Sequence, residues 1–248
     1  MQKPAEKQRT SHKVFVMQVV ITGASKGLGK AIAEAFAKEG HSLFLCSRNH
    51  VALYKTMEEL MAAWPYAQYK ARPADMADPT EVKAFADWVL EHGVPDIIVN
   101  NAGQFVPGSV HNEPEGALEQ MLQVNLFSAY HLTRALLPKM MEAKRGHIFN
   151  ICSIASLQAY PNGGAYSISK FALSGFSKNL REEMKPYGIK VTGVYPGAAY
   201  TDSWSGSGVD PKRIMEANDV AHMVYAAAQL SAQACVEDIV LRPQLGDL

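Results

Sequence analysis

What this chain has little of bounds it first. Cysteine is scarce: Cys46, Cys152 and Cys235 are the only three in 248 residues, and no two form a CxxC pair. That leaves neither a zinc framework nor a disulfide framework, so no metal is expected, and a cytoplasmic, reducing location is. Net charge is missing: 24 Lys and Arg offset 24 Asp and Glu. A neutral chain lacks the bulk positive field that draws nucleic acid, so no nucleic-acid partner is expected. No apolar run approaches the roughly 18 residues a membrane helix needs, so no membrane partner is expected either. Residues 14–21 are interrupted by Gln18 and are too short for a signal-peptide core. Disorder is excluded from the other side, because 48% of the residues are hydrophobic and 19% charged.

The charge that is present is unevenly spread. Residues 1–16 carry Lys3, Lys7, Arg9 and Lys13 against Glu6 alone, a charge of +3, which leaves −3 for residues 17–248. We read 1–16 as a flexible basic extension ahead of one domain spanning 17–248, with Met17 a candidate internal start. From there apolar, β-rich runs alternate with helix-period segments. Strands are expected over 17–22, 42–47, 68–71, 97–100, 147–152, 190–195 and 239–241. Helices are expected over 29–38, 51–63, 79–91, 114–142, 165–185 and 219–230. The first, fourth and fifth strands are continuous apolar runs, as in strands buried on both faces of a parallel sheet. Ile32, Ala33, Phe36 and Ala37 share one helix face, with Gly40 as its stop. Asp78-Pro79 and Asn218-Asp219 read as helix starts. The alternation predicts an α/β single-domain Rossmann fold, a doubly wound parallel sheet of about seven strands flanked by helices. Residues 196–217, rich in Gly, Ser and Pro, have no clear period and the length of a functional lid.

The first strand runs into Thr22-Gly23-Ala24-Ser25-Lys26-Gly27-Leu28-Gly29, and a helix opens there. Glycines at a strand-to-helix turn let the backbone approach a pyrophosphate, and the helix N-terminus offers free N–H donors. A P-loop competes for this segment and fails: Ala31 follows Lys30 where a hydroxyl should hold Mg²⁺, and Ala24 occupies the first glycine position. A tight turn without ligand is the plain alternative. The second strand should end beside an adenosine ribose, where NAD enzymes place a carboxylate. Here Cys46-Ser47-Arg48-Asn49 stands instead. Arg48 and Lys26 could pair a 2′-phosphate, which favours NADP(H) over NAD; otherwise they are two solvated cations.

Carbonyl reduction needs a proton donor, and a tyrosine with pKa ~10 is a weak one unless a nearby cation favours its phenolate. Tyr and Lys at i and i+4 of a helix share a face. Two Tyr-x-x-x-Lys matches exist. Tyr66 to Lys70 leads into a strand, where the side chains would stand roughly 13 Å apart, and we reject it. Tyr166 to Lys170 opens a helix, and Ser153, thirteen residues earlier, ends a buried strand at the edge where α/β sheets bind ligands. Gly206-Ser207-Gly208 lacks the spacing of a hydrolase nucleophile elbow.

From Met17 onward the chain resembles the short-chain dehydrogenase/reductase family, with motifs in family order: Thr22-Gly23-x-x-x-Gly27-x-Gly29, Asp75, Asn100-Asn101-Ala102-Gly103, Asn125, Ser153, Tyr166-x-x-x-Lys170, and Pro196-Gly197 with Thr201. The resemblance implies a nicotinamide cofactor held by Gly23, Ser25, Lys26, Gly27, Leu28 and Gly29, with Ser47 and Arg48 at the ribose. Asp75 and Met76 would lie near adenine, and Asn101, Ala102 and Gly103 would line adenosine. Tyr166 and Lys170 would reach the nicotinamide ribose, and Pro196, Gly197 and Thr201 the carboxamide and phosphate. It implies a catalytic set of Asn125, Ser153, Tyr166 and Lys170. The carbonyl carbon would take a hydride from NADPH while Ser153 and Tyr166 hydrogen-bond the oxygen. Tyr166 would give the proton, and Lys170 would restore it with a water near Asn125, which distorts its helix.

Gln104, Phe105, Ile154, Leu157, Tyr160, Tyr200 and Trp204 would shape an apolar, aromatic pocket for a small carbonyl substrate such as a ketone or diketone. Residues 196–201 and 237–243 are similar to bacterial sepiapterin-reductase-like members, which implies a pteridine side-chain ketone. A 3-oxoacyl carrier-protein reductase is the rival and should show a basic docking patch. A catalytically silent NADP-binding sensor is the alternative of another class. The resemblance also implies a homodimer or homotetramer paired through helices 114–142 and 165–185. Phe171, Leu173, Phe176 and Leu180 give the second helix more apolar surface than one buried face requires.

Overall fold

The computed structural model describes residues 16–201, 204 and 208–247. Apart from Val16, the basic extension lies outside the described residues. Seven parallel strands form one sheet in the order β3 (Gln68–Ala71), β2 (Ser42–Cys46), β1 (Gln18–Thr22), β4 (Ile97–Asn100), β5 (Gly146–Ile151), β6 (Ile189–Pro196) and β9 (Asp238–Leu241). The chain lays β1 to β3 outward in one direction, then returns and lays β4 to β6 and β9 in the other. The reversal between β1 and β4 opens a crevice at the carboxyl ends of those strands.

The strands are apolar because the sheet is covered on both faces. Every residue of β2 and β4 is buried, as is all of β1 beyond Gln18 and of β5 beyond Gly146. Alternate side chains feed opposite cores. Val19, Ile21, Leu43, Leu45, Val99 and Phe149 pack with Ile32 and Phe36 of α1 (Gly27–Lys38) and Val220 and Val224 of α7 (Ala217–Ala228). Val20, Phe44, Ile98 and Ile148 pack with Phe85 of α3 (Pro79–Glu91), Leu132 and Leu136 of α5 (Ser128–Ala143) and Leu180 of α6 (Gly164–Met184). Burying each such side chain contributes about 1.5–3 kcal/mol. Within this sheet only the edge strands β3 and β9 have exposed residues.

Helix limits follow local chemistry. Asn49 caps α2 (His50–Ala63) through Ala52 N–H at 3.0 Å, and Asp78 caps α3 ahead of Pro79 through Thr80 N–H at 2.8 Å. Gly40, at φ 81°, stops α1 as expected. Two expectations are corrected. Helix α7 begins at Ala217, not Asp219, because Glu216 is the cap and Asp219 is its reciprocal partner, accepting Glu216 N–H at 3.0 Å. The single helix expected over 114–142 is three pieces: α4 (Ala117–Leu122), a π-helical turn (Gln123–Phe127) and α5. The lid segment contains a two-residue parallel pair, β7 (Ala199–Tyr200) with β8 (Met215–Glu216), and a 3₁₀ turn (Pro211–Arg213). No helix among the described residues is long and apolar enough to cross a membrane.

Candidate active site

The crevice at the β1–β4 switch is built by side chains that lock two turns together. Thr22 Oγ1 accepts the N–H groups of Asn101 (3.0 Å) and Ala102 (2.9 Å). Asn101 Nδ2 donates to the carbonyls of Thr22 (2.9 Å) and Gly23 (3.2 Å). The backbone is packed so closely that a Cβ on Gly29 would collide with the Gly23 carbonyl and stand 2.5 Å from Asn101 Nδ2. Helix α1 then starts with no side-chain cap, Lys26 being extended, so its first-turn N–H groups face the crevice uncapped. Thr201 of the lid segment lies 3.4 Å from the position of a Gly27 Cβ, and both line a cavity of about 320 Å³ with Lys30, Ala31 and Tyr200.

On the adenosine side, Ser25 and Ser47 share a hydroxyl hydrogen bond of 2.8 Å. The Arg48 guanidinium is 72% exposed and lies 3.7 Å from an Asp75 carboxylate oxygen. Asp75 also accepts Ala77 N–H at 2.9 Å, the turn-former contact its Asp-Met-Ala-Asp-Pro setting suggests. The Met76 side chain is buried in one core, and Leu28 packs partly buried against the other.

Ser153 follows β5 and is nearly buried. Its Oγ accepts Ala155 N–H at 3.1 Å, and its hydroxyl lies close enough to Tyr166 to oppose the rise in that tyrosine's pKa. Tyr166 and Lys170 share the inner face of α6. Lys170 is 5% exposed, donates from Nζ to the Ile151 carbonyl at 2.8 Å and stands 5.9 Å from the Tyr166 ring centroid. The electrostatics differ from the expectation that the lysine lowers the tyrosine pKa. Burial pushes Tyr166 up to about 12, against the lowering effect of the neighbouring Ser153, and burial pulls Lys170 down to about 8. Desolvation is the largest influence on both groups. Tyr166 therefore keeps its proton at neutral pH.

Asn125 sits in the π-helical turn, buried, and is fully engaged. Its Oδ1 accepts Gln104 N–H at 2.8 Å, and its Nδ2 donates to the Gln104 carbonyl at 3.1 Å and to Ser169 Oγ at 2.9 Å. These bonds tie the turn after β4 to α6, beside Gly103, whose Cβ position lies 3.6 Å from Lys170 Nζ. The helix bulges here because the side chain is held from two other elements.

The pocket expectations divide. Phe105 packs edge-on against Tyr166, with ring centroids 4.9 Å apart, and Leu157, Tyr160 and Tyr200 have exposed side chains. Ile154 opens the short 3₁₀ turn after Ser153 and is half-buried. Trp204 donates its N–H to the Thr201 carbonyl at 2.9 Å, within a lid segment of which only part is described. Gly197 lies under the C-terminal segment, its N–H on the Leu241 carbonyl at 2.8 Å. Pro196 closes β6. The rejected Tyr66–Lys70 pair is indeed apart from the site: the Tyr66 hydroxyl donates to the Lys38 carbonyl at 2.7 Å, and Lys70 lies on β3. Sequence reading missed Glu113, whose carboxylate reaches α6 across 52 positions, and Arg213, which donates to the carbonyls of Gly246 (2.9 Å) and Asp247 (3.1 Å). No local signal marks either one.

Comparison with known proteins agrees with this geometry. Residues 17–210 match the family described as short chain dehydrogenase. Dehydrogenase/reductase SDR family member 7B of Rattus norvegicus is 37% identical over 202 residues, 79% of this chain; the chain spans 62% of that relative's length. Sepiapterin reductase of Chlorobaculum tepidum is 32% identical over 239 residues, covering 93% of this chain and 97% of that one. An alcohol dehydrogenase from the archaeon Thermococcus sibiricus, solved with 5-hydroxy-NADP, superposes with a TM-score of 0.85 at 28% identity, over 92% of this chain and 97% of that one.

Proposed function

Since the chain belongs to the short chain dehydrogenase family of oxidoreductases, we propose that it is an NADPH-dependent reductase of a small ketone or diketone, with Tyr166 as general acid. The observation that carries this reading is the convergence at the carboxyl end of β5 of the Ser153 hydroxyl and Tyr166, with the Lys170 ammonium buried on the Ile151 carbonyl 5.9 Å from the Tyr166 ring centroid. The bound nicotinamide supplies the hydride. The cradle fits a dinucleotide: Gly29 leaves no room for a side chain, and the uncapped start of α1 presents N–H donors to a pyrophosphate. Ser25, Lys26, Gly27 and Leu28 would hold it, with Gly23 at the turn. Ser47 and Arg48 would take the 2′-phosphate, which several NADP-bound structural neighbours support. Asp75, Met76 and Asn101–Gly103 would flank adenosine, and Pro196, Gly197 and Thr201 the nicotinamide end.

The chain's own part follows from the geometry. Ser153 and Tyr166 donate to the carbonyl oxygen as negative charge grows on it. Tyr166 then gives up its proton, and the cation at Lys170 lowers the cost of the phenolate that forms. Asn125 fixes the Gln104 turn against Ser169 and thereby holds the floor on which Lys170 rests. Exposed Phe105, Leu157, Tyr160 and Tyr200 suit a flat, weakly polar substrate, and the sepiapterin reductase relative supports a pteridine side-chain ketone. The carrier-protein rival needs free cations at the mouth. Two of the three Lys and Arg side chains in the cavity beside Tyr200, Arg213 and Arg242, are instead bound to the chain's own C-terminal residues.

Replacing Tyr166 with Phe tests the reading. With NADPH and a panel of ketones that includes sepiapterin and diacetyl, turnover should fall about 10²–10⁴-fold while NADPH still binds. Near-normal turnover would overturn it, and NADPH binding without any turnover in the unaltered protein would favour the sensor. We also propose a homo-oligomer. Leu173 and Leu180 prove to be core residues, but Ile168 and Phe171 of α6 stay 44% and 45% exposed on adjoining positions. Sedimentation as a monomer of about 27 kDa would remove that proposal.

A further inference from the structure

Helix α6 begins without a side-chain cap of its own, because Gly163 and Gly164 occupy its first positions. Its cap comes from elsewhere. Glu113, in the segment after β4, accepts the N–H of Ala165 through Oε1 at 2.7 Å. Ala165 is 1% exposed and directly precedes Tyr166. Without the carboxylate that N–H would be a buried donor with no partner. The carboxylate is held on two sides by glycines. A Cβ on Gly108 would come within 2.6 Å of Glu113 Cγ, and one on Gly164 would collide with Oε1. Around it the two segments are laced together: Gly108 N–H donates to the Asn162 carbonyl at 3.1 Å, and Ser109 Oγ donates to Asn162 Oδ1 at 2.9 Å. At the other end of the same segment Phe105 leans on the Tyr166 ring. Residues 105–113 therefore touch Tyr166 by its ring and by the backbone that carries it.

We propose that Glu113 is a positioning residue, which fixes the first turn of α6 and so sets the Tyr166 hydroxyl against Ser153. The proposal rests on the reading of Tyr166 as the proton donor. A carboxylate near a helix N-terminus also meets the positive end of its dipole, which strengthens the cap. Substitutions separate this role from bulk stability. Glu113→Ala removes the acceptor. Glu113→Gln keeps an oxygen acceptor of the same reach. Gly108→Ala pushes on the Glu113 stem from the far side without touching α6.

The test combines amide hydrogen exchange over residues 164–170 with steady-state kinetics, using NADPH and diacetyl, and an NADPH fluorescence titration. Glu113→Ala should speed exchange in that segment at least tenfold and lower kcat at least tenfold. Its KM and its NADPH affinity should stay within about threefold, because the dinucleotide cradle lies on other elements. Glu113→Gln should restore both readouts to within about threefold of the unaltered protein. Gly108→Ala should repeat the defect, and the Gly108→Ala/Glu113→Ala double variant should be no worse than Glu113→Ala alone. Unchanged exchange in Glu113→Ala overturns the proposal, as does an equal defect in Glu113→Gln or a matching loss of NADPH affinity. Tyr166→Phe, measured beside them, keeps the two readings apart. If it stays active, the proton-donor role fails. If it is inactive and Glu113→Ala is normal, only the role of Glu113 fails.

Discussion

Lys170 should be a residue that the enzyme keeps at the expense of its own stability. Burial lowers its pKa from the ordinary 10.5 to about 8. At about 1.4 kcal/mol per tenfold, keeping it charged at pH 7 costs the folded protein about 3 kcal/mol relative to the unfolded chain. The sign follows from proton counting. Below pH 8 both states carry the proton and the penalty is complete. Between 8 and 10.5 the unfolded chain holds more protons than the native one, so stability rises with pH as the penalty drains away. Lys170→Met removes the penalty but strands the Ile151 carbonyl that Nζ serves at 2.8 Å, which returns about 1 kcal/mol. The variant should therefore be about 2 kcal/mol more stable at pH 7, a rise of about 4–8 °C in Tm for a chain of this size. Its turnover should collapse. Thermal melts of the cofactor-free protein at pH 7 and pH 9.5 give the check. At pH 9.5 about 2 kcal/mol of the penalty has gone, so the two proteins should melt together. A less stable Lys170→Met protein, or a gap of the same size at both pH values, would refute the desolvation argument.

Three further outcomes follow from other groups. Burial holds His147 down at about 3 from its usual 6.5, so the unfolded chain binds the extra proton across that window and stability should fall by about 2 kcal/mol between pH 6.5 and 5. His147→Leu should flatten that slope in urea titrations. Arg48→Ala should cut kcat/KM for NADPH about 10–100-fold, the value of a charge-assisted bond of about 1.5–3 kcal/mol, and leave NADH nearly unchanged; an equal loss with both cofactors would deny the 2′-phosphate role. Gly29→Ala should cost about 1–3 kcal/mol in melting and most of the NADPH affinity, because its Cβ would meet the Gly23 carbonyl, a backbone atom that cannot swing aside.

How much of this was legible beforehand depends on the range over which each feature is decided. Strands β1, β4 and β5 could be read directly, because a strand buried on both faces has no polar alternation to hide behind. Tyr166, Lys170 and Ser153 could be read because the i, i+4 rule and the strand end are both local. The break at Gln123–Phe127 could not. Residues 114–142 have a good helical pattern, and the π-helical turn is imposed by Asn125 bonding to Gln104 and Ser169, which are distant in sequence. The start of α7 was missed for a smaller reason. Glu216 is a rare cap, and it competes only because Asp219 answers it.

The same division explains the pKa values. From sequence a lysine four residues after a tyrosine can only look like a neighbouring cation, which lowers the tyrosine pKa. Desolvation belongs to the packed state: it depends on the packing that leaves Lys170 5% exposed with Cys152 beside it, which no spacing reveals. With Lys170 buried and Tyr166 partly so, each is pushed toward its neutral form. On the proposed reading that is the arrangement required of Tyr166, which holds its proton until the carbonyl oxygen needs it. It also poises Lys170 to lose its charge just above neutrality, so the reduction rate should fall as pH rises through about 8. A rate that stayed level to pH 10 would mean that the ammonium is not what eases the proton off Tyr166.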